Sequence, residues 1–247
     1  MARSPGTPRE LHVLKLLPNL VSILALCAGL TAIRYALVDQ YQLAILLIGI
    51  AAALDGLDGR LARMLNSESA IGAELDSLCD FVNFGVAPAF VLYLWGMHDE
   101  ASLGWIAVLL YAVCAMLRLA RFNVGNKLAV DEVAEKASFI GIPSPAGAML
   151  SLVPMYVSFV FDQRFEVPSV IVSLWMVGIG ALMISSIRTP SLKRVTIAPD
   201  YARYFLVLAV LGVAALLTYP WVTLLALSWV YLAGILMLWL RKKTLPQ

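Results

Sequence analysis

Asp55 to Asp80 reads DGLDGRLARMLNSESAIGAELDSLCD, and the four aspartates in it dictate how the surrounding chain folds. They lie within two apolar segments that are each otherwise long enough to cross a bilayer, where an ionisable side chain is costly and marks function. Asp55 and Asp58 are three residues apart and Asp76 and Asp80 four apart, so each pair occupies one face of a helix. The polar turn Asn66-Ser67-Glu68-Ser69 has its midpoint between Ser67 and Glu68. Folding back there sets Asp55 level with Asp80 and Asp58 level with Ser77, so all four carboxylates meet at one depth.

The 247 residues are 61% hydrophobic and only 14% charged, well beyond the globular balance. The fold class that follows is all-α, a polytopic membrane bundle of about eight helices in one domain. A short interfacial helix (Pro8 to Leu17) precedes the first span, near Asn19 to Leu37. The others are expected near Gln42 to Leu65, Ala70 to Trp95, Leu103 to Phe122, Pro145 to Phe161, Val167 to Ile187, Ala202 to Tyr219 and Trp221 to Leu240. The chain then divides into a surface segment (1–17), a six-helix core (18–187), and a basic loop with two further helices (188–247). A cleaved signal is disfavoured because the apolar run continues past Cys27. Cys27, Cys79 and Cys114 fall in three different spans without paired spacing and read as packing residues. The net charge of +2 gives no reason to expect a nucleic-acid partner.

Charge placement orients the bundle. With both termini cytoplasmic, only Arg34 and Arg164 of the 18 lysines and arginines face outward, leaving 16 inside, as cytoplasmic enrichment in basic residues requires. The aspartate hairpin therefore opens to the cytoplasm, its carboxylates roughly 13 to 19 Å from the turn at about 1.5 Å per residue. An integral protein of the inner membrane is expected.

Four ionised carboxylates in a cavity of low dielectric repel one another unless some are protonated or cations sit among them. Two divalent ions balance four negative charges. All-oxygen ligation, with no His in the stretch and Cys79 read as a packing residue, favours Mg²⁺ or Mn²⁺, with Ca²⁺ also admissible, over zinc or copper. Such an ion pair commonly clamps a phosphoryl group. Gly59 and Ala62 share the Asp55/Asp58 face, Gly72 precedes Asp76 by a turn, and Arg63 near the cytoplasmic edge is placed to meet phosphate. Small residues are also ordinary at membrane helix interfaces.

Asp58-Gly59-x2-Ala62-Arg63-x8-Gly72-x3-Asp76-x3-Asp80, with Asp55 upstream, resembles position for position the signature of the CDP-alcohol phosphotransferases. The resemblance implies that Asp55, Asp58 and Asp76 ligate metal and that Asp80 is both ligand and catalytic base. It also implies a CDP pocket shaped by Gly59, Ala62, Arg63 and Gly72 together with Asp58 and Asn19, a six-helix core, and a homodimer. The last two spans lie outside the signature.

Three further motifs resemble the phosphatidylserine-forming branch of that family: Pro18-Asn19-Leu20, Arg118-Leu119-Ala120-Arg121-Phe122-Asn123 and Gly141-Ile142-Pro143-Ser144-Pro145. Each also has a plain helix-end reading, with Ser144 as a helix cap before Pro145. The branch implies transfer of a phosphatidyl group from CDP-diacylglycerol to L-serine, with release of CMP. Serine adds a carboxylate that the metals do not offset, so Arg118 or Arg121 is expected to bind it, with Asn123 and Ser144 as polar helpers. The alternatives are a sibling enzyme using glycerol phosphate, inositol or choline, and, in another class, a divalent-cation transporter. Against the transporter, no polar chain leads from the aspartates to the outer face.

Overall fold

The computed structural model describes residues 13–97, 100–128, 141–161, 167–185 and 202–244. Among these every regular element is helical. The expected surface segment before Val13, Arg164 and the basic loop at 188–200 lie outside the described residues.

A single 3-10 turn, Val13–Leu16, leads into α1 (Leu17–Ala36), which a tight turn joins to α2 (Tyr41–Met64). Asp39 takes a positive φ of 59° in that turn, and its carboxylate accepts from the Tyr41 hydroxyl at 2.8 Å. Helix α1 buries Pro18, Ser22, Ala25, Gly29, Ala32 and Ala36, a three-four alternation of mostly small side chains that lets a neighbouring backbone come close. Helix α2 answers with Ala44, Ile48 and Ala51 in the same alternation. Carried onward, that alternation lands on Asp55 and Asp58. The aspartates thus continue the stripe by which α2 packs on α1.

The hairpin turns over 65–69, where the sequence placed it, with Asn66 at φ 47°. Ser69 caps α3 (Ala70–Asp80), its Oγ accepting from the Gly72 N–H at 3.0 Å. After Asp80 the backbone widens into one π-helical segment, Phe81–Val86, and then continues as α4 (Ala87–Gly96). Pro88 explains the widening, because its ring clashes with the carbonyl four residues back and offers no N–H to it. That carbonyl belongs to Phe84, and the buried Tyr111 hydroxyl donates to it at 3.0 Å.

Helix α5 (Ala101–Leu128) packs along α8 (Ser169–Ile184). The span expected at Pro145 to Phe161 is interrupted: α6 (Ser144–Ser151) and α7 (Val153–Val160) meet at Leu152. Pro154 is the cause, and the Leu150 carbonyl it leaves unpaired accepts from Trp175 Nε1 at 2.9 Å. Ser144 is the first residue of α6 and Pro143 its cap. The expected cap role of Ser144 is thereby corrected, since its hydroxyl is engaged by Arg118 instead.

Helices α9 (Ala202–Thr218) and α10 (Pro220–Thr244) follow. Helix α10 lies against α7 and α9, with Ile235 reaching the core. Among the described residues, five helices are long and apolar enough to span a membrane: Leu14–Ala36, Tyr41–Met64, Ala70–Gly96, Ser102–Gly125 and Pro220–Met237. Ser169–Ile184 and Leu206–Thr218 are shorter apolar helices. This is a polytopic helical membrane protein.

Candidate active site

The hairpin brings Asp55, Asp58 and Asp76 together, with one ligand oxygen of each within 4.8 Å of the others. Asp80, one turn beyond Asp76, reaches the Asp55 carboxylate at hydrogen-bonding separation. The level pairing of Asp55 with Asp80 is therefore present. Asp58 is the most enclosed, 4% exposed, and accepts from the Ser22 hydroxyl at 2.5 Å. A hydrogen bond to a carboxylate contributes about 1.5–3 kcal/mol, but it occupies one oxygen only. Asp58 Oδ1 and Asp80 Oδ1 are buried without a partner among the described residues, which is costly for carboxylates unless a cation completes them. The donors are hard oxygens with no His or Cys among them, so the group fits a divalent cation of the Mg²⁺, Mn²⁺ or Ca²⁺ kind.

The small residues sort into two kinds. A Cβ on Gly72 would lie 3.0 Å from both Asn19 Oδ1 and Ser69 Oγ, whereas a Cβ on Gly59 would meet nothing within 4 Å. Gly72 therefore admits the amide of Asn19 from α1, which draws the N-terminal ends of α1 and α3 together. Gly59 faces open space, where a ligand has room. Ala62 is half-buried on the same side of α2, and Arg63 is exposed, its Nε donating to the Gly59 carbonyl at 3.0 Å.

The two arginines of α5 also separate. Arg118 is half-buried, donates to Ser144 Oγ at 2.6 Å and stacks over the Phe122 ring at 5.6 Å. Asp80 and Asp55 lie close enough to act on its charge, and Tyr231 of α10 is nearby. Arg121 is exposed and donates to the Ile184 carbonyl at 3.0 Å. It thereby closes the end of α8, a helix-terminus contact. Asn123 Nδ2 donates to Ser77 Oγ at 3.0 Å, tying α5 to the turn of α3 between Asp76 and Asp80.

Three residues near this centre escaped the sequence reading. Ser22 is the polar member of the small-residue stripe on α1, and that oddity was a usable signal. Tyr231 lies on a helix outside the signature. Asn83, in the π segment, is only 1% exposed, and neither atom of its amide has a partner among the described residues. Both depend on tertiary placement.

Comparison with known proteins matches residues 15–182 to a family model described as CDP-alcohol phosphatidyltransferase, and residues 201–235 to one described as CDP-alcohol phosphatidyltransferase 2. A relative from Mycobacterium leprae (strain TN) is 40% identical over 235 residues, covering 95% of this chain and 78% of its own. One from Mycobacterium tuberculosis (strain ATCC 25618 / H37Rv) is 43% identical over 205 residues, covering 83% and 71%. One from Bacillus subtilis (strain 168) is 33% identical over 178 residues, covering 72% and 92%. Each of these relatives bears the name CDP-diacylglycerol–serine O-phosphatidyltransferase.

Proposed function

Because this chain belongs to the CDP-alcohol phosphatidyltransferase family, we propose that it transfers the phosphatidyl group of CDP-diacylglycerol to L-serine, forming phosphatidylserine and CMP. The observation that supports the reading is Asp80 beside Asp55 at the rim of a three-carboxylate group, an arrangement suited to a base next to a phosphate-handling centre. The names of the relatives support serine over other alcohols.

Asp80 takes the proton of the serine hydroxyl as that oxygen attacks the phosphatidyl phosphorus; the new O–P bond replaces the bond to CMP, which departs with the displaced oxygen. Divalent ions held by Asp55, Asp58, Asp76 and Asp80, two of them and Mg²⁺ or Mn²⁺ by donor chemistry, would supply Lewis-acid stabilisation of the diphosphate charge. Asp58, Gly59, Ala62, Arg63, Gly72 and Asn19 frame the nucleotide. Arg118 binds the serine carboxylate or the phosphate, Ser144 fixes its orientation, and Arg121 and Asn123 hold the helices around it. The basic-residue asymmetry supports a cytoplasmic mouth and cytoplasmic termini in an inner membrane, with lipid entering laterally. The family resemblance supports a homodimer.

Incubating the purified protein with CDP-diacylglycerol, Mn²⁺ or Mg²⁺ and each of serine, glycerol phosphate, inositol and choline tests the reading. CMP release with serine alone is expected. Release with another alcohol would reassign the substrate, and no release with any would remove the activity.

A further inference from the structure

Of the residues that α1 buries, Pro18, Ala25, Gly29, Ala32 and Ala36 have no side-chain donor, whereas Ser22 does. Ser22 is 5% exposed, with its Oγ 2.5 Å from Asp58 Oδ2 and 3.2 Å from the Pro18 carbonyl. One hydroxyl proton cannot serve both acceptors. The Pro18 carbonyl stands four residues before Ser22 in α1, where the backbone N–H of Ser22 is its regular helical partner. The contact to the carboxylate is the shorter one and is charge-assisted. The helix therefore does not need this hydroxyl, and alanine would continue the small-residue stripe as well.

The effect of the bond falls on Asp58. Its Oδ2 accepts from Ser22, while its Oδ1 is buried without a partner among the described residues. The two residues come from different helices, so the bond fixes the carboxylate against α1 and not merely against its own turn. A carboxylate with one oxygen held in this way offers the other singly. Single oxygens suit the tight octahedral shell of Mg²⁺ or Mn²⁺, whereas Ca²⁺ takes a larger, looser shell that often draws both oxygens from one carboxylate.

We propose that Ser22 is a positioning residue for Asp58. Its hydroxyl holds Oδ2 and leaves Oδ1 as the one oxygen that meets an ion, which biases the aspartate group toward Mg²⁺ or Mn²⁺ and against Ca²⁺. The inference rests on the reading of the aspartates as ligands of a divalent cation.

The test uses the full-length protein and records melting temperature against the concentration of Mn²⁺ and, separately, of Ca²⁺, with CMP release alongside. The wild type should be stabilised by Mn²⁺ in a saturable way. Ser22→Ala should raise the half-saturating Mn²⁺ on the order of ten- to a hundredfold, the usual cost of losing a group that orients a metal ligand. The half-saturating Ca²⁺ should rise less, because the freed Oδ2 lets Asp58 offer two oxygens. CMP release by Ser22→Ala should fall at limiting Mn²⁺ and recover most of its rate at saturating Mn²⁺. Ser22→Thr keeps the hydroxyl and should bring both midpoints back toward wild type. Ser173 of α8 is the control: it is also buried, and its hydroxyl donates to the Ser169 carbonyl at 2.8 Å. Ser173→Ala removes a buried hydroxyl of the same helical kind and should leave both midpoints unchanged. A half-saturating Mn²⁺ within about twofold of wild type in Ser22→Ala, or equal losses for Mn²⁺ and Ca²⁺, would overturn the proposal. Absence of any ion-dependent shift in the wild type would instead remove the metal reading, and the inference with it.

Discussion

The break beneath the aspartates and the break in the fifth span obey one rule of backbone chemistry and differ in what they leave behind. In each, a proline strips the N–H from a carbonyl four residues earlier, and an aromatic donor on a neighbouring helix makes up the loss: Tyr111 for Phe84, Trp175 for Leu150. At Leu152 the repair is complete, and the local hydroxyl of Ser151 bonds the Ala148 carbonyl at 2.7 Å. At the π segment the main chain is repaired, but Asp80 and Asn83 keep buried polar atoms unpaired. Unsatisfied groups of this kind are rare and call for an explanation. One interruption lies away from the aspartates; the other follows directly on Asp80.

Changes at the aspartates should break this contrast most sharply. Asp80→Asn should abolish nearly all turnover, because an amide cannot take the proton. Stability should hold, because a like charge has left a crowded site. Near wild-type turnover in a verified preparation would end the assignment. Excess chelator should also abolish CMP release and lower the melting temperature, and Asp55→Ala or Asp76→Ala should weaken the dependence of both on added Mn²⁺. Undiminished activity in chelator would count against a metal-assisted reaction.

Arg118 and Arg121 give a smaller effect. Lysine cannot reproduce a forked contact, so Arg118→Lys should raise the KM for serine or CDP-diacylglycerol several-fold, whereas Arg121→Lys should leave both within about twofold, roughly 0.4 kcal/mol. Equal behaviour of the two variants would erase the distinction drawn from their partners.

The smallest effects test the two repairs directly. Trp175→Phe and Tyr111→Phe each orphan a carbonyl and should cost about 1–3 kcal/mol of stability. Turnover should fall several-fold only in Tyr111→Phe, because only that carbonyl belongs to the segment following Asp80. Matching turnover losses in both would show that neither break is tuned to the site.

The aspartate hairpin was legible in the sequence because spacing at three and four residues, an intervening polar turn and buried charge all follow from helix periodicity. The break at Leu152 was not read, although Pro154 signals it, because apolar residues continue on both sides and hydropathy alone runs straight through. The π segment was less accessible still, since the donor that tolerates Pro88 comes from Tyr111, 27 residues beyond Phe84. Arg118 and Arg121 lie on the same end of one helix, so only their partners on α6 and α8 tell them apart.

The shared stripe on α2 has a consequence for how this centre tolerates change. Asp55 and Asp58 inherit their azimuth from Ala44, Ile48 and Ala51, so the contact that seats the helix also aims the charge. One residue inserted upstream in α2 would turn everything after it by about 100°, and alanines and aspartates could no longer both face α1. Substitutions along that stripe are tuned one at a time, but its phase can be altered only as a whole.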